Sequence, residues 1–322
     1  MGTVVALAGQ IGGAKLAEGL YRLRGKDLAV VVNTGDDYEQ FGLTFSPDLD
    51  TALYTLANIG DPGKAWEPRE ESYALFEMLK SLGGPDRLPI GDKSLAAPLL
   101  RSGGLSDGRR LTEITQEFCR SLGVTARLLP MSDDPVRTHF LTDNGSVSFQ
   151  EYFVDLGCEP VVKGFQYANA DQARVSDEVI DALFARDLEA VVICPANPYH
   201  VIRPILEVNG MKELLRKSGA PVVAVTPIIG GKALKGSAAK MMRELGREVS
   251  ARSVALEYLR VIDGFVLDAL DAELAEGIRA CGIEVITAQT IMRTTEDRTA
   301  LAQTVLDFAA TVRAAKALES EE

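Results

Sequence analysis

The sequence predicts an α/β protein with a Rossmann-like, mostly parallel sheet flanked by helices. Short apolar, β-branched runs without polar alternation recur at 3–8, 190–194 and 221–226, which is typical of strands buried on both faces. Each run ends in a loop rich in glycine, proline or asparagine, and helix-like patterns separate the runs. Strands that alternate with helices form parallel sheets and bind ligands at their carboxyl edge.

The first predicted strand, 3–8, is followed by the loop Gly9-Gln10-Ile11-Gly12-Gly13-Ala14-Lys15 and then an amphipathic helix. Glycines at a strand-to-helix turn let the backbone approach a ligand, and the helix N–H groups attract phosphate. The spacing satisfies neither GxGxxG nor GxxxxGK[ST]. A plain tight turn is the alternative to phosphate contact. The phosphate-binding candidates here are Gly9, Gly12, Gly13 and Lys15.

The rest of the chain is organised around 30–56, where an apolar strand leads through an acidic loop into a helix-like pattern. This stretch contains Asp36, Asp37, Asp48 and Asp50. One aspartate can cap a helix, but four aspartates within fifteen residues need another explanation. A site for Mg²⁺, or for a ligand hydroxyl, is the preferred one. Asn33 of the same stretch is a candidate for nucleotide or phosphate binding.

The middle of the chain departs from the strand–helix rhythm. Apolar spacing predicts helices at 69–82, 92–101 and 111–122, with Asp92 as the N-cap of the second. Alternation on both sides of Asn144-Gly145 predicts a hairpin over 138–154. We therefore predict one α/β domain over 1–322, with an inserted helical and hairpin subdomain at approximately 58–170.

The alternation of strands and helices resumes with a predicted helix at 176–187. The strand at 190–194 ends in a loop containing Asn197, and the strand at 221–226 ends in a loop containing Gly230 and Gly231. Lys232 and Lys235 follow before another helix, an arrangement that phosphates favour. Further strands at 264–268 and 283–287 close the predicted sheet, and a helix from about 296 to 318 ends it.

Composition narrows the class of protein. The net charge of −12 argues against nucleic-acid binding, which needs a basic surface. The four cysteines form no CxxC pair, and we predict neither a signal peptide nor a membrane span. A cytoplasmic protein is expected, with a homodimer as the default assembly. His139 and His200 lie far apart in the chain and are predicted to be structural.

Taken together, several segments resemble the 2-phospho-L-lactate transferase family of deazaflavin coenzyme F-420 biosynthesis. They occur in the family's order from near the N-terminus to past residue 240. Small departures are Gln10 for the usual glycine, Ala196 for a serine, and Ser94 after Gly91-Asp92-Lys93. The matching segments are ALAGQIGGAKLAEGL, VVNTGDDYEQFGLTFSPDLDTALYTLA, IGDKSLAAPLLR, PMSDDPVRT, FQEYF, PANPYHVIRPIL and TPIIGGKALKGSAAKMM.

The resemblance implies a Mg²⁺-assisted transferase that joins the deazaflavin alcohol FO to a guanosine-diphosphate-activated three-carbon acid and releases GMP. The acid is of lactate, enolpyruvate or glycerate type. Asp50 and Lys93 match the family positions that contact FO. We hypothesise that Asp48 or Asp50 orients or deprotonates the attacking hydroxyl, directly or through Mg²⁺.

The remaining candidates divide between the two ends of the donor. Lys15, Lys232 and Lys235 are candidates for neutralising the diphosphate. Asn197, Gly230 and Gly231 are candidates for the guanosine side.

Two other interpretations remain open at this point. A non-catalytic regulator similar to the gluconeogenesis factor, which binds nucleotide-sugars, shares a comparable glycine-rich start and acidic second loop. The combination of Pro47-Asp48-Leu49-Asp50 with Gly91-Asp92-Lys93 favours the transferase. An NAD-dependent oxidoreductase is weaker, since GxGxxG is missing and Asp36 is the sole candidate for the ribose-binding acid.

Overall fold

The computed structural model describes residues 2–84, 89–234 and 236–319. The strands, in chain order, are β1 (Thr3–Ala8), β2 (Leu28–Val32), β3 (Tyr38–Gln40), β4 (Leu43–Phe45), β5 (Arg127–Pro130), β6 (Arg137–Thr142), β7 (Gly145–Ser148), β8 (Val162–Ala168), β9 (Leu188–Ile193), β10 (Val222–Val225), β11 (Ile228–Ile229), β12 (Lys232–Ala233), β13 (Gly264–Asp268) and β14 (Glu284–Ala288).

The α-helices are α1 (Gln10–Arg24), α2 (Pro47–Leu56), α3 (Ala74–Ser81), α4 (Ala96–Ser106), α5 (Leu111–Ser121), α6 (Asp177–Leu183), α7 (Arg203–Glu207), α8 (Met211–Lys217), α9 (Ala238–Glu244), α10 (Ala251–Glu257), α11 (Ala275–Arg279) and α12 (Thr295–Glu319). No helix among the described residues is long and apolar enough to span a membrane.

Seven parallel strands form the central sheet, in the order β14-β13-β10-β9-β1-β2-β5. From β1 the chain builds outward through β2 and β5, and it then returns to the other side of β1 with β9. The strand order therefore reverses between β1 and β9. In open α/β sheets the crevice at such a reversal, beyond the carboxyl ends of the strands, binds ligands.

The sheet is buried on both faces, which confirms the predicted fold class. Along β1, Val4, Ala6 and Ala8 join the apolar layer that includes α1, α2 and α12. The alternate residues Val5 and Leu7 join the opposite layer, which contains α6 through α11. Period-two alternation of apolar side chains between two covered faces explains why the run at 3–8 contains no polar position beyond Thr3.

The segment 58–170 contains α3, α4 and α5, then β5, then the three-stranded antiparallel sheet β7-β6-β8. The predicted hairpin at Asn144-Gly145 is confirmed by the pairing of β6 with β7. Its second arm is shorter than predicted, because β7 ends at Ser148 and Glu151–Asp155 form a short helix. Strand β5 lies inside this segment but pairs with β2 in the central sheet. The helical part and the hairpin part are thus separated by an edge strand of the main sheet.

The predicted boundaries of two helices are wrong. The structure begins α3 at Ala74 and α4 at Ala96, where the sequence predicts 69 and 92. The reason is Asp92, whose carboxylate accepts the backbone N–H groups of Ala74 and Leu75 at 3.1 and 2.9 Å. It therefore caps α3 from across a connection, and it does not begin its own helix.

Candidate functional site

A cleft of about 690 Å³ opens at the carboxyl ends of the central strands. Its volume lies in the range of small-molecule sites, and it sits at the reversal between β1 and β9. Loops after β1, β9, β10 and β14 contribute, together with the start of α2. Its lining includes Gln10, Gly12, Lys15, Asp48, Phe149, Asn197 and Ile229.

Glycine is required at two positions of the first loop because neighbouring groups approach closely. A Cβ on Gly9 would lie 2.5 Å from Asp48 Oδ2 and 2.4 Å from Val201 Cγ1. A Cβ on Gly12 would lie 2.4 Å from the Pro195 carbonyl oxygen. These glycines therefore let the first loop pack against α2 and against the loop after β9. Gly13 lies against Ala8 of β1.

Asp48 occupies the first turn of α2, at the floor of the cleft, with 5% of its surface exposed. Its Oδ1 accepts the backbone N–H of Gln10 at 2.8 Å, and its Oδ2 accepts Asn33 Nδ2 at 3.0 Å. The predicted acid and the predicted glycine-rich loop thus meet directly. Asn33 is fully buried and holds Asp48, and it is not among the residues that line the cleft.

The environment makes Asp48 a weak acid for an aspartate. Burial and the nearby Asp36 carboxylate raise the pKa of Asp48 to about 7, against the lowering effect of its hydrogen bonds with Asn33 and Gln10. Desolvation and a like charge both disfavour the ionised form. A carboxyl group whose pKa lies near neutrality at the edge of a cleft can accept and release a proton at physiological pH.

His200 is a residue whose place in the site the sequence analysis did not predict. It is fully buried. Its Nδ1 lies 2.9 Å from Asp36 Oδ2, and its Nε2 lies 3.3 Å from Gln10 Nε2. Burial raises the pKa of Asp36, while the facing His200 lowers it. The one signal in the sequence was its position just after the loop at 195–198, at the expected ligand edge of the sheet.

Asp37 and Asp50 do not line the cleft. Ser46 donates to Asp37 Oδ2 at 2.7 Å, and burial raises the pKa of Asp37 to about 8. Asp50 accepts both terminal nitrogens of Arg101, one of them at 3.2 Å. Only 1% of Arg101 is exposed. A buried, two-point ion pair therefore occupies both oxygens of Asp50, and the structure separates this acid from Asp48.

Lys93 borders a second cavity, of about 530 Å³, whose other lining residues include Leu53, Tyr54 and Phe118. Its ammonium donates to the Arg69 carbonyl oxygen at 2.7 Å. Helix α2 contributes to both cavities, since its first turn faces the cleft and its last turn faces this one. Asp50 lies on the helix between the two, and neither Asp50 nor Lys93 lines the cleft.

Some of the residues predicted to contact phosphate or nucleotide line the cleft, and others do not. Lys15 lines the cleft and donates to the Met292 carbonyl oxygen at 3.1 Å. Asn197 also lines it, and its Oδ1 accepts the Tyr199 N–H at 2.9 Å. Gly230 and Gly231, by contrast, form the turn between β11 and β12 with positive φ.

The Gly230 N–H donates to Asp271 Oδ2 at 3.0 Å, and the neighbouring Ile229 lines the cleft. Lys232 begins β12 and is exposed. Lys235 lies outside the described residues.

The carboxylates at and near the cleft differ in whether they suit Mg²⁺. Among residues 2–84, 89–234 and 236–319, no group of three or more His, Cys, Asp or Glu side chains is placed to hold a metal ion. Mg²⁺ is commonly held by one or two carboxylates together with substrate phosphates. Asp48 fits that role, since each of its oxygens keeps a second lone pair at the cleft floor. Asp50 does not fit while Arg101 occupies both of its oxygens.

Comparison with known proteins places the chain among transferases. The family profile described as 2-phospho-L-lactate transferase CofD matches residues 4–303. The chain is 36% identical over 304 residues to the 2-phospho-L-lactate transferase of Methanosarcina mazei, covering 94% of this chain and 99% of that protein. It is 36% identical over 318 residues to the phosphoenolpyruvate transferase of Streptomyces griseus, covering 97% and 99%.

Among solved structures, a UPF0052-family protein of Bacillus halodurans superposes with a TM-score of 0.60 at 17% identity. The match covers 95% of this chain and 99% of that one. At this identity the likeness shows the shared fold alone.

Proposed function

The chain belongs to the 2-phospho-L-lactate transferase family, and from this premise we propose that it transfers a phosphorylated three-carbon acid to the deazaflavin alcohol FO. The donor is a guanosine diphosphate ester of lactate, enolpyruvate or glycerate type. The ribityl hydroxyl of FO attacks the distal phosphorus, the anhydride bond to GMP breaks, and a phosphodiester forms. The hydroxyl proton passes to Asp48. The observation that carries this proposal is the pairing of a family match over residues 4–303 with a cleft whose floor is Asp48.

Phosphoryl transfer needs positioning and charge neutralisation more than covalent catalysis. Asp48 supports the proposal because its pKa of about 7 lets it take the proton of the attacking hydroxyl. Lys15 lines the cleft, and we infer that its ammonium faces the donor's phosphates. Holding Mg²⁺ against the donor's diphosphate is the alternative role for Asp48. A bound cation would lower the pKa of Asp48, so the two roles exclude each other, and the pH dependence of kcat distinguishes them.

The second cavity supports an acceptor site. Its lining by Leu53, Tyr54 and Phe118 suits a flat aromatic ring system, and Lys93 supplies a cation at its edge. We place the deazaflavin ring there, with its ribityl chain reaching past the first turn of α2 to the cleft. Asp50 would contact FO only after its ion pair with Arg101 opens. A cytoplasmic location and a homodimer stay predictions.

The deciding experiment mixes purified protein, Mg²⁺ and FO with each of the three guanylyl-activated acids and follows the products by mass spectrometry. We expect a new deazaflavin phosphodiester in molar equivalence with GMP, and the preferred acid is the one that reacts fastest. Unchanged FO and donor, with either still bound to the protein, would reject the transferase in favour of a non-catalytic nucleotide-binding protein. Heat-denatured protein is the control for uncatalysed breakdown of the donor.

A further inference from the structure

Gln10 combines an unusual backbone with a side chain held at the cleft. Its φ is +53°, a left-handed conformation that glycine adopts freely and that glutamine rarely adopts. The side chain lines the cleft, and its amide nitrogen faces His200 Nε2 at 3.3 Å. Glycine here would relax the backbone, so the retention of a strained glutamine indicates that its side chain has a task.

The Gln10 amide nitrogen faces His200, and the amide oxygen is the other end of that group. An amide nitrogen only donates, so Nε2 of His200 must be the accepting nitrogen of a neutral imidazole. The other nitrogen, Nδ1, then donates to Asp36 Oδ2 at 2.9 Å. The His200 ring has little freedom to turn, because it is buried among Phe140, Phe149 and Phe153 with centroid separations of 5.7, 5.9 and 5.3 Å.

The carbonyl oxygen of Gln10 accepts no hydrogen bond from any residue that the structure describes, and it is not among the buried unpartnered atoms of that part of the chain. The backbone N–H of the same residue is taken by Asp48 Oδ1 at 2.8 Å. An acceptor oxygen therefore stands open to the cleft directly beside the proposed proton acceptor. Such an oxygen repels phosphate oxygens and attracts a hydroxyl.

We propose that Gln10 is a specificity residue, whose side-chain oxygen binds a substrate hydroxyl in the cleft and is aimed there by the positioning residues His200 and Asp36. This inference rests on the proposed function. The hydroxyl has two possible sources of the same chemistry. It belongs to the ribityl chain of FO, or to a hydroxylated three-carbon acid of glycerate type in the donor.

The test compares wild type with Gln10→Gly and Gln10→Asn. Both residues tolerate positive φ, so the fold is kept while the oxygen is deleted or withdrawn by one methylene. Dissociation constants for FO, from its fluorescence, and for each donor are measured along with kcat and KM. We expect about a tenfold loss for the ligand that supplies the hydroxyl. Weaker binding of FO itself assigns the hydroxyl to FO, and weaker binding of the glyceryl donor alone assigns it to the acid. Weaker binding of all three donors with unchanged FO binding would assign it to their shared guanosine and overturn both assignments.

His200→Leu and the double variant test the positioning role. We expect His200→Leu to weaken substrate binding about as much as Gln10→Gly does. In a protein that already carries Gln10→Gly, His200→Leu should weaken binding no further, because residues that act through one another are not additive. Equal loss in both backgrounds would overturn the positioning role and leave His200 purely structural. Arg260→Gly removes another exposed residue with positive φ, +69°, and controls for the relaxed backbone.

The proposal would be overturned if the Gln10→Gly variant bound and converted all substrates within twofold of wild type. A wild-type protein that forms no product would instead count against the transferase. The dissociation constants still report on the Gln10 oxygen in that case.

Discussion

At the scale of single residues, the acids of the central stretch divide into three environments. Asp48 lies at the cleft, Asp36 is paired with His200, and Asp50 is neutralised by Arg101. Because these surroundings differ, we propose proton transfer for Asp48, orientation of His200 for Asp36 and a structural role for Asp50. Substitution of each acid should therefore have a different signature.

Asp48→Asn keeps the shape of the side chain and removes its basicity. We expect kcat to fall by about 10²- to 10⁴-fold, the usual share of general acid–base catalysis. In the wild type, kcat should rise with pH through about 7, because the ionised carboxylate is the proton acceptor, and the variant should lose that rise. Steady-state rates from pH 5.5 to 8.5 measure this. Asp61→Asn, at a partly exposed position that does not line the cleft, is the matched control, and a parallel profile in both variants would contradict the role.

Arg101→Met removes one partner of the buried ion pair with Asp50. Because an unpaired buried charge is costly, we expect the free energy of unfolding to fall by about 3–5 kcal/mol, as measured by urea denaturation. Asp50→Asn should also destabilise the protein, so the kcat of this variant must be interpreted together with its free energy of unfolding. A combined Asp50→Asn, Arg101→Met variant should be more stable than the sum of the single changes predicts. Strict additivity would show that the pair does not couple.

At the scale of elements, the site depends on how closely α1 approaches the loop after β9. Helix α1 follows β1 after a single residue, Gly9, and its first turn lies against the Pro195 carbonyl. The two loops that flank the reversal of strand order are therefore joined by a contact that leaves no space for a side chain. We therefore expect a change at this contact to alter the shape of the cleft.

Gly12→Ala inserts a methyl group where the Pro195 carbonyl oxygen lies 2.4 Å away. We expect about 1–3 kcal/mol of lost stability from overpacking and a rise in KM for the nucleotide donor as the loop moves. Gly103→Ala in α4 has nothing within 4 Å of the added group and should stabilise the protein by about 0.5–1 kcal/mol. Thermal denaturation and donor KM, measured for both variants, separate crowding from a general glycine effect.

At the scale of the whole molecule, the buried acids couple stability to pH. Asp37 and Asp48 have folded pKa values of about 8 and about 7, both raised by burial from 3.8. An acid whose pKa is raised by folding binds its proton more tightly in the folded state. Its stabilising effect is complete at low pH and is lost as pH rises from about 4 to the folded pKa.

The free energy of unfolding should therefore decrease between pH 5 and 7, by about 1.4 kcal/mol per pH unit for each of the two acids. Asp37→Asn should lower that slope by one acid's share and should be more stable than wild type at pH 8. Asp92→Asn should leave the slope unchanged, because the pKa of Asp92 is lowered and its contribution ends near pH 4. Urea titrations at four pH values measure the slopes, and a flat wild-type curve would refute the coupling.

Much of this protein was determined by its sequence alone. The apolar runs, the glycine-rich turn and the Asn144-Gly145 hairpin are local signals, since strand burial, helix entry and tight turns depend on adjacent residues. They predicted the sheet, the cleft at its carboxyl edge, and Asp48 as a member of the site. The ordered series of family segments predicted the class of transferase.

Only the tertiary structure decided which side chains meet. Arg101 reaches Asp50 across 51 positions and His200 reaches Asp36 across 164, and no local pattern encodes either pair. Asp92 caps α3 from 18 positions away for the same reason. A carboxylate's role depends on burial and on its nearest charges, which are set when distant segments pack together. The sequence could therefore identify the acids, and the packing assigned their tasks.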